Sequence, residues 1–323
     1  MAFAALSLAL TRRLAGAVAT LLLLASLSFA LLGLAPGDAF PNDDPRLTAA
    51  DRARQREALG LDGSLPQRYA QYVSHAVKGD FGVSIQHARP VRGLVAERLL
   101  PSVFLGGSAV LIAFSLGLWF GTRAALRPHS VSRMIVDRLL PALDAMPAFW
   151  LGLMGLLVFA NWLGWLPSGG LTDAMQPDTL LARLRHLLLP ALTLGVPASA
   201  VVARHHAAAL QRELTVPSAR ALRCLGVDER QVVRRALRRA LHPSIVLLGL
   251  SLPALAGGTA IVEDVFAWPG LGQLQISALL GRDLPLAVGS LLVLATAVLL
   301  GGALSEMIAL WVDPRWGREG IDA

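Results

Sequence analysis

Apolar and polar residues separate along this chain into long blocks rather than alternating. Six stretches run almost uncharged: Leu14–Leu34, Val103–Gly121, Leu139–Leu163, Leu187–Ala203, Pro243–Val262 and Pro285–Val312. Crossing about 30 Å of hydrocarbon at about 1.5 Å per helical residue takes roughly 20 apolar residues. The pattern therefore predicts an all-α integral membrane protein with six transmembrane helices. The fourth block is the shortest and is interrupted by Pro190 and Pro197; the third carries Asp144 near its start and the sixth Glu306 near its end.

The first block follows Arg12 and Arg13, as a secretory leader would. Its apolar run exceeds the roughly 7–15 residues of such a leader, and no small-x-small cleavage pattern directly follows, so a retained span is expected. Composition agrees with the block pattern: 54% of residues are hydrophobic and 16% charged, where a soluble domain carries about 25% charged.

The net charge of +7 is nearly all arginine, with Lys78 the only lysine. Such a balance suits nucleic acid or the inner face of a membrane, and position decides between them. With the N-terminus inside, the inner connections hold Arg12, Arg13, Arg123, Arg127, Arg133 and Arg138, then nine arginines between Arg204 and Arg239, and Arg315 and Arg318 in the tail. The two short outer loops hold only Arg183, Arg185 and Arg282. Both ends are thus expected in the cytoplasm, with no nucleic-acid partner. The layout reads as a cytoplasmic N-terminus over 1–13, a first span over 14–34, an extracytoplasmic segment over 35–102, a five-helix core over 103–312 and a cytoplasmic tail over 313–323.

In the outer segment, proline and glycine punctuate a polar helical stretch near Ala50–Leu59. A second, near Gln67–Val77, places Tyr69, Tyr72 and Val73 on one side. A small helical cap outside the membrane is expected there.

The inner segment, residues 204–242, is the most informative. Pro217 and Ser218 can open a short helix and Gly226 can close it in the left-handed C′ conformation. Asp228, with Gln231 three residues on, reads as a capping box for a second helix. In that helix Val232, Val233, Ala236, Leu237, Ala240 and Leu241 form one face, and Arg234, Arg235, Arg238 and Arg239 interleave on the other. A helix-turn-helix entering DNA is disfavoured by the direct tether to a span. Contact with anionic membrane lipid and docking of a cytoplasmic partner both remain open on these grounds.

The residues also match a known pattern. Arg220-Ala-Leu-Arg-Cys-Leu-Gly226 resembles the cytoplasmic signature of permeases of binding-protein-dependent ABC importers, in their dipeptide, oligopeptide and nickel branch. Leu34-Ala-Pro-Gly-Asp38, Leu59-Gly-Leu-Asp62, Gly79-Asp-Phe-Gly82, Pro147-Ala-Phe-Trp-Leu-Gly152, Val262 to Gly272 and Asp313-Pro-Arg315 resemble the branch in the same order along nearly the whole chain. Arg220-Ala-Leu222 stands where the wider family has Glu-Ala-Ala, Thr215-Val-Pro-Ser218 replaces a stretch that usually contains Asp-Tyr, and Leu225 stands where lysine is common.

The resemblance implies the ABC importer permease fold and a coupling helix seated on an ATPase, with Arg220, Ala221, Leu222, Arg223, Gly226 and Asp228 as the coupling residues. It implies as partners two cytoplasmic ATPase subunits, a second related permease and an extracytoplasmic substrate-binding protein. Peptides or similar small polar solutes are the implied cargo.

Independently, no Walker A loop is present, so P-loop hydrolysis by this chain itself is not expected. No catalytic constellation, cofactor site or metal site is expected either. Cys224 is alone, and the adjacent His205 and His206 point in different directions on a helix. Gly117-Leu-Trp-Phe-Gly121 fits a small-xxx-small packing face. Asp144 and Glu306 each cost about 2.5–3.5 kcal/mol in a span, so each should face water or the protein interior; an interfacial or helix-packing role and a wall of the translocation path are both open for them. A secondary transporter or channel working without ATPases is the competing class. It would call for internal symmetry and several buried ionisable groups.

Overall fold

The computed structural model describes residues 2–34, 65–172 and 179–312, apart from the side chains of 2–14, 32–34, 65, 248–258, 305–306 and 309–312. The expected helix at Ala50–Leu59, the motifs at 35–38 and 59–62 and the tail from Asp313 lie outside the described residues. Every regular element among the described residues is helical, and Val83 and Pro90 form an isolated antiparallel bridge.

The elements are α1 (Ala2–Leu34), α2 (Leu65–Ala76), α3 (Val91–Leu126), α4 (Val131–Met134), α5 (Leu140–Asp144), α6 (Ala148–Gly155), α7 (Leu180–Thr215), α8 (Pro217–Cys224), α9 (Glu229–Val265), α10 (Leu271–Leu280) and α11 (Leu284–Val312). The six apolar blocks fall on helix, the third in two halves. Val91–Leu126, Leu180–Thr215 and Leu284–Leu304 are long and apolar enough to cross a membrane. The third block adds a fourth crossing if its two bent halves count as one span.

That block departs from a straight span. π-helical turns at Ile135–Leu139 and Leu156–Trp162 flank a bend of 101° between Asp144 and Ala148. Pro147 lies at the bend with an extended backbone (φ −59°, ψ 133°), and a proline ring disfavours the helical region for the residue before it. The fourth block departs the other way. Pro190 and Pro197 lie inside one 36-residue helix, where Thr193 Oγ1 donates to Leu189 O (2.9 Å) and Ser199 Oγ to Val196 O (2.6 Å).

The chain divides into two compact units, residues 1–100 with 270–299 and residues 101–269 with 300–323. In the first, Val91, Leu94 and Val95 pack with Leu271, Leu274 and Ala278 of α10 and Leu286 of α11. Phe29 of α1 meets Tyr69 edge-on at 5.6 Å between ring centroids and Tyr72 at 5.2 Å, and the Ser26 and Tyr69 hydroxyls lie 2.7 Å apart. The shared face expected for the two tyrosines is thus the face that α2 packs on α1.

The second unit is built on close helix contact. A Cβ added at Gly121 of α3 would fall 2.6 Å from Ala203 O of α7, and one at Gly117 would fall 2.5 Å from Val202 Cβ. The small-xxx-small face is therefore the α3–α7 contact, where only glycine lets the backbones approach this closely. Ala124, Ala203, Ala207, Leu210, Ala236 and Ala240 fill the core beside it.

Candidate coupling site

The site is the corner at which α7 turns through α8 into α9, all within the second unit. Pro217 opens α8 at its first position, where its missing N–H leaves no extra bond unmade. Gly226 ends it with φ +74°. Gly226 N–H donates to Arg223 O (3.0 Å) and Val227 N–H to Leu222 O (3.1 Å), the paired 5→2 and 6→1 bonds of a Schellman cap. The glycine stop expected from the sequence is present in full geometry.

The capping box is not. Asp228 occupies the N-cap position of α9, but its side chain makes no capping bond. Glu229 turns instead to Arg223, whose Nε and Nη2 donate to its two carboxylate oxygens at 2.9 and 2.8 Å. This fork holds the Glu229 carboxyl below its usual range and raises the Arg223 guanidinium, chiefly through the hydrogen bonds themselves. Arg223 Nη1 also donates to Leu214 O at the end of α7 (2.9 Å). One guanidinium thus ties α7, α8 and α9 together. Arg239 reinforces the corner, reaching Ser218 Oγ at 3.4 Å and Glu213 Oε2 at 3.7 Å.

Along α9, Val232, Ala236 and Ala240 are buried while Arg234, Arg235, Arg238 and Arg239 are exposed, the two faces read from the sequence. Between α8 and α9 lies a groove of ≈ 280 Å³, floored by Val216, Ala219, Leu222, Val232 and Ala236 and edged by Arg235 and Arg239. Leu225 stands at its rim, 79% exposed, beside the exposed Cys224. Arg220 and Ala221 are exposed as well. The outward surface is thus apolar at its centre and cationic at its edge.

Behind the corner, His206 of α7 is wholly buried and His205 exposed, so the two rings diverge as expected. His206 is more than an interfacial side chain. Its Nε2 lies 3.0 Å from Thr122 Oγ1 of α3 and its Nδ1 2.9 Å from Ser244 Oγ of α9. Ser244 Oγ donates onward to Ala240 O (3.1 Å), so a neutral ring protonated at Nδ1 satisfies every member of the chain. Nothing in the pairing of adjacent histidines signalled this link between three helices.

Asp144 ends α5 at the bend of the third block, with its side chain exposed and without a hydrogen bond or ion pair among the described residues. Glu306 lies on α11, with its side chain outside the described residues. Two other carboxylates went unread because the apolar blocks stop short of them. Glu263 is fully buried and accepts from Ser102 Oγ (2.7 Å). Asp283, also fully buried, accepts from Leu286 N–H (3.1 Å) as the N-cap of α11, and from Ser84 Oγ (2.5 Å) and Gln86 N–H (3.0 Å). The Asp-Leu-Pro run at 283–285 carried the N-cap signal for the second of these. Among the described residues no group of three or more His, Cys, Asp or Glu side chains is placed to hold a metal ion.

The chain is similar to known proteins along most of its length. The chain is 36% identical over 91% of its length to a protein of Brucella ovis named as a peptide permease, covering 94% of that protein. It is 32% identical to the oligopeptide transport system permease protein AppB of Bacillus subtilis, over 94% of this chain and 97% of AppB. It is 33% identical to the glutathione transport system permease protein GsiC of Salmonella typhimurium, over 94% of this chain and 96% of GsiC. Among solved structures, an inward-facing MetNI methionine ABC transporter aligns with a TM-score of 0.54 and 21% identity, over 68% of this chain and 96% of that one, a likeness of fold. Residues 114–318 match the family described as the inner membrane component of binding-protein-dependent transport systems. That stretch contains the whole α7–α8–α9 corner, and the chain belongs to this family of ABC importer permeases.

Proposed function

We propose that this chain forms part of the membrane channel of an ATP-driven importer for peptides or similar small polar solutes, delivered by an external binding protein, and that α8 is its coupling helix. On this reading the chain itself has no ATPase site. It pairs with a second related permease and with two cytoplasmic ATPase subunits that engage Arg220, Ala221, Leu222, Gly226 and Asp228, with Arg223 holding the corner in shape. The cargo class rests on the names of the relatives, which include peptide, oligopeptide and glutathione permeases.

One observation carries the coupling role. α7 continues 12 residues past the apolar block that ends at Ala203, and α9 begins 14 residues before the block that starts at Pro243. At about 1.5 Å per residue, α8 stands roughly 18–21 Å beyond the hydrocarbon edge. The headgroup layer is only about 5–7 Å deep on each side. Lipid contact does not call for such reach, whereas docking on a cytoplasmic protein does.

The same reading carries six spans with both ends in the cytoplasm, supported by six helical blocks and by the arginines of the inner connections. The segments 1–13, 35–102, 204–242 and 313–323 keep the sides first assigned to them. Asp144 and Glu306 serve as walls of the translocation path, a role favoured for Asp144 by its exposed, unpartnered position at a broken helix.

Cys224, the only cysteine, provides the test without mutation. A membrane-impermeant maleimide should label it in inside-out vesicles and not in right-side-out ones. Bound ATPase subunits should suppress the labelling. Equal labelling with and without the ATPases removes α8 from the docking surface; labelling from outside overturns the orientation.

A further inference from the structure

Segment 204–242 holds nine arginines against three acids, Glu213, Asp228 and Glu229. Glu213 is engaged by Arg239 and Glu229 by Arg223. Arg230, Arg234 and Arg238 lie four residues apart along α9, all exposed and none with an acidic partner among the described residues. At 100° per residue they form one stripe, opposite the buried Val232, Ala236 and Ala240. Like charges at this spacing destabilise an isolated helix, so the stripe calls for anions from outside the chain.

Height along the helix separates the sources of anion. Counting from the apolar start at Pro243, Arg238 lies about 7 Å beyond the hydrocarbon, Arg234 about 13 Å and Arg230 about 20 Å. Lipid phosphates lie within about 5–7 Å of that edge. The lowest arginine reaches them and the upper two do not. Even a helix tilted by about 40° leaves Arg230 roughly 15 Å out.

We propose that Arg230 and Arg234 form an electrostatic latch with an acidic strip on the ATPase subunit, on the face of α9 turned away from the groove. This rests on the coupling reading of α8. The two contacts divide the work: the apolar contact of Leu222 and Leu225 supplies buried area, and the latch sets orientation and the rate of capture. The latch also fixes the chemistry of the partner, which must carry carboxylates where it meets this face of α9. Charges at the rim of an interface act in this way, through association rate and salt dependence.

The test uses the assembled importer in nanodiscs of phosphatidylcholine alone or with anionic phosphatidylglycerol, following retention of the ATPase subunits as sodium chloride is raised. Arg230→Glu with Arg234→Glu should weaken retention at least about tenfold in both lipids, because charge reversal replaces attraction with repulsion. The milder Arg230→Gln with Arg234→Gln should give a smaller loss and a flatter salt dependence, with an unchanged elution profile to show that the permease remains folded. Arg238→Glu should respond to lipid composition and leave retention intact. Unchanged retention in the double reversal, or a loss confined to the anionic nanodiscs, overturns the latch. Leu222→Ser with Leu225→Ser separates the two ideas: if it too leaves the ATPases bound, the coupling reading itself fails.

Discussion

Substitution of Gly226 examines the corner at one backbone angle. A Cβ placed there meets nothing within 4 Å, so added bulk creates no clash inside the chain. The whole cost comes from φ +74°, a left-handed conformation that penalises ordinary L-residues by roughly 1–2 kcal/mol. The two backbone bonds that the turn secures, from Gly226 and Val227, are worth about 0.5–1.5 kcal/mol each. The penalty is therefore comparable to what closes the cap, and opening of the α8–α9 corner changes from rare to frequent.

The order of severity follows from the same angle. Asn, which tolerates the left-handed region, should be mildest; Ala and Leu should be similar to each other; Val should be worst, because a branched Cβ fits that region poorly. Membrane insertion and thermal unfolding should stay near wild type, since α8 is a small exposed element. Transport and the stimulation of ATP hydrolysis by loaded binding protein should fall in proteoliposomes. Wild-type coupling in Gly226→Val refutes the reasoning outright. A response that follows side-chain volume, with Leu far worse than Ala, would instead locate the effect in a partner's contact.

Gly121→Ala should behave in the opposite way, costing about 1–3 kcal/mol by overpacking against Ala203 O and appearing as a lower unfolding temperature of the purified subunit. Asp283→Ala leaves Gln86 N–H and Leu286 N–H without their acceptor and should cost roughly 2–4 kcal/mol; Asp283→Asn, able to keep the cap bond, should cost about half as much in the same melt. The Arg223–Glu229 fork has a defined pH sign. A carboxyl held below its usual range contributes stability that is full above the unfolded-state value and lost only as pH falls through the lower folded one. Hydrogen exchange at Gly226 and Val227, corrected for intrinsic rate, should therefore stay protected from pH 8 down through pH 5 and weaken only below the ordinary carboxylate range; loss near neutrality would exclude the fork as the clamp.

Much of this was legible in the order of residues. Block length placed six helical regions, and the proline, glycine and arginine of the inner segment located α8, its stop and the two faces of α9. What escaped was set by tertiary contact. Hydropathy counts residues in a window, so it closed the fifth block at Val262 and the sixth at Pro285, each just short of a buried carboxylate. It also weighed proline by identity alone. Pro190 and Pro197 read as interruptions but lie within a continuous helix, while Pro147, unremarkable in its block, coincides with a 101° bend. Asp228 misled as well: it holds the N-cap position without a side-chain bond, and the charged contact at this turn is made by Glu229 with Arg223.

On the coupling role proposed for α8, these contacts would let the corner transmit force instead of absorbing it. A short exposed helix between two long ones would ordinarily hinge at its ends, and both ends here are closed. The Val216–Pro217 entry is closed by Arg223 on Leu214 O, and the Gly226 exit by the Schellman cap and the fork to Glu229. Further along, the chain from Thr122 through His206 to Ser244 joins α7 and α9 to α3 within the same unit. A push on α8 then meets no soft joint before α3, whose contact with α7 at Gly117 and Gly121 has no slack to take up motion. On that proposal the displacement would pass into the helices as whole bodies, because a packed interface shifts between discrete arrangements rather than bending continuously.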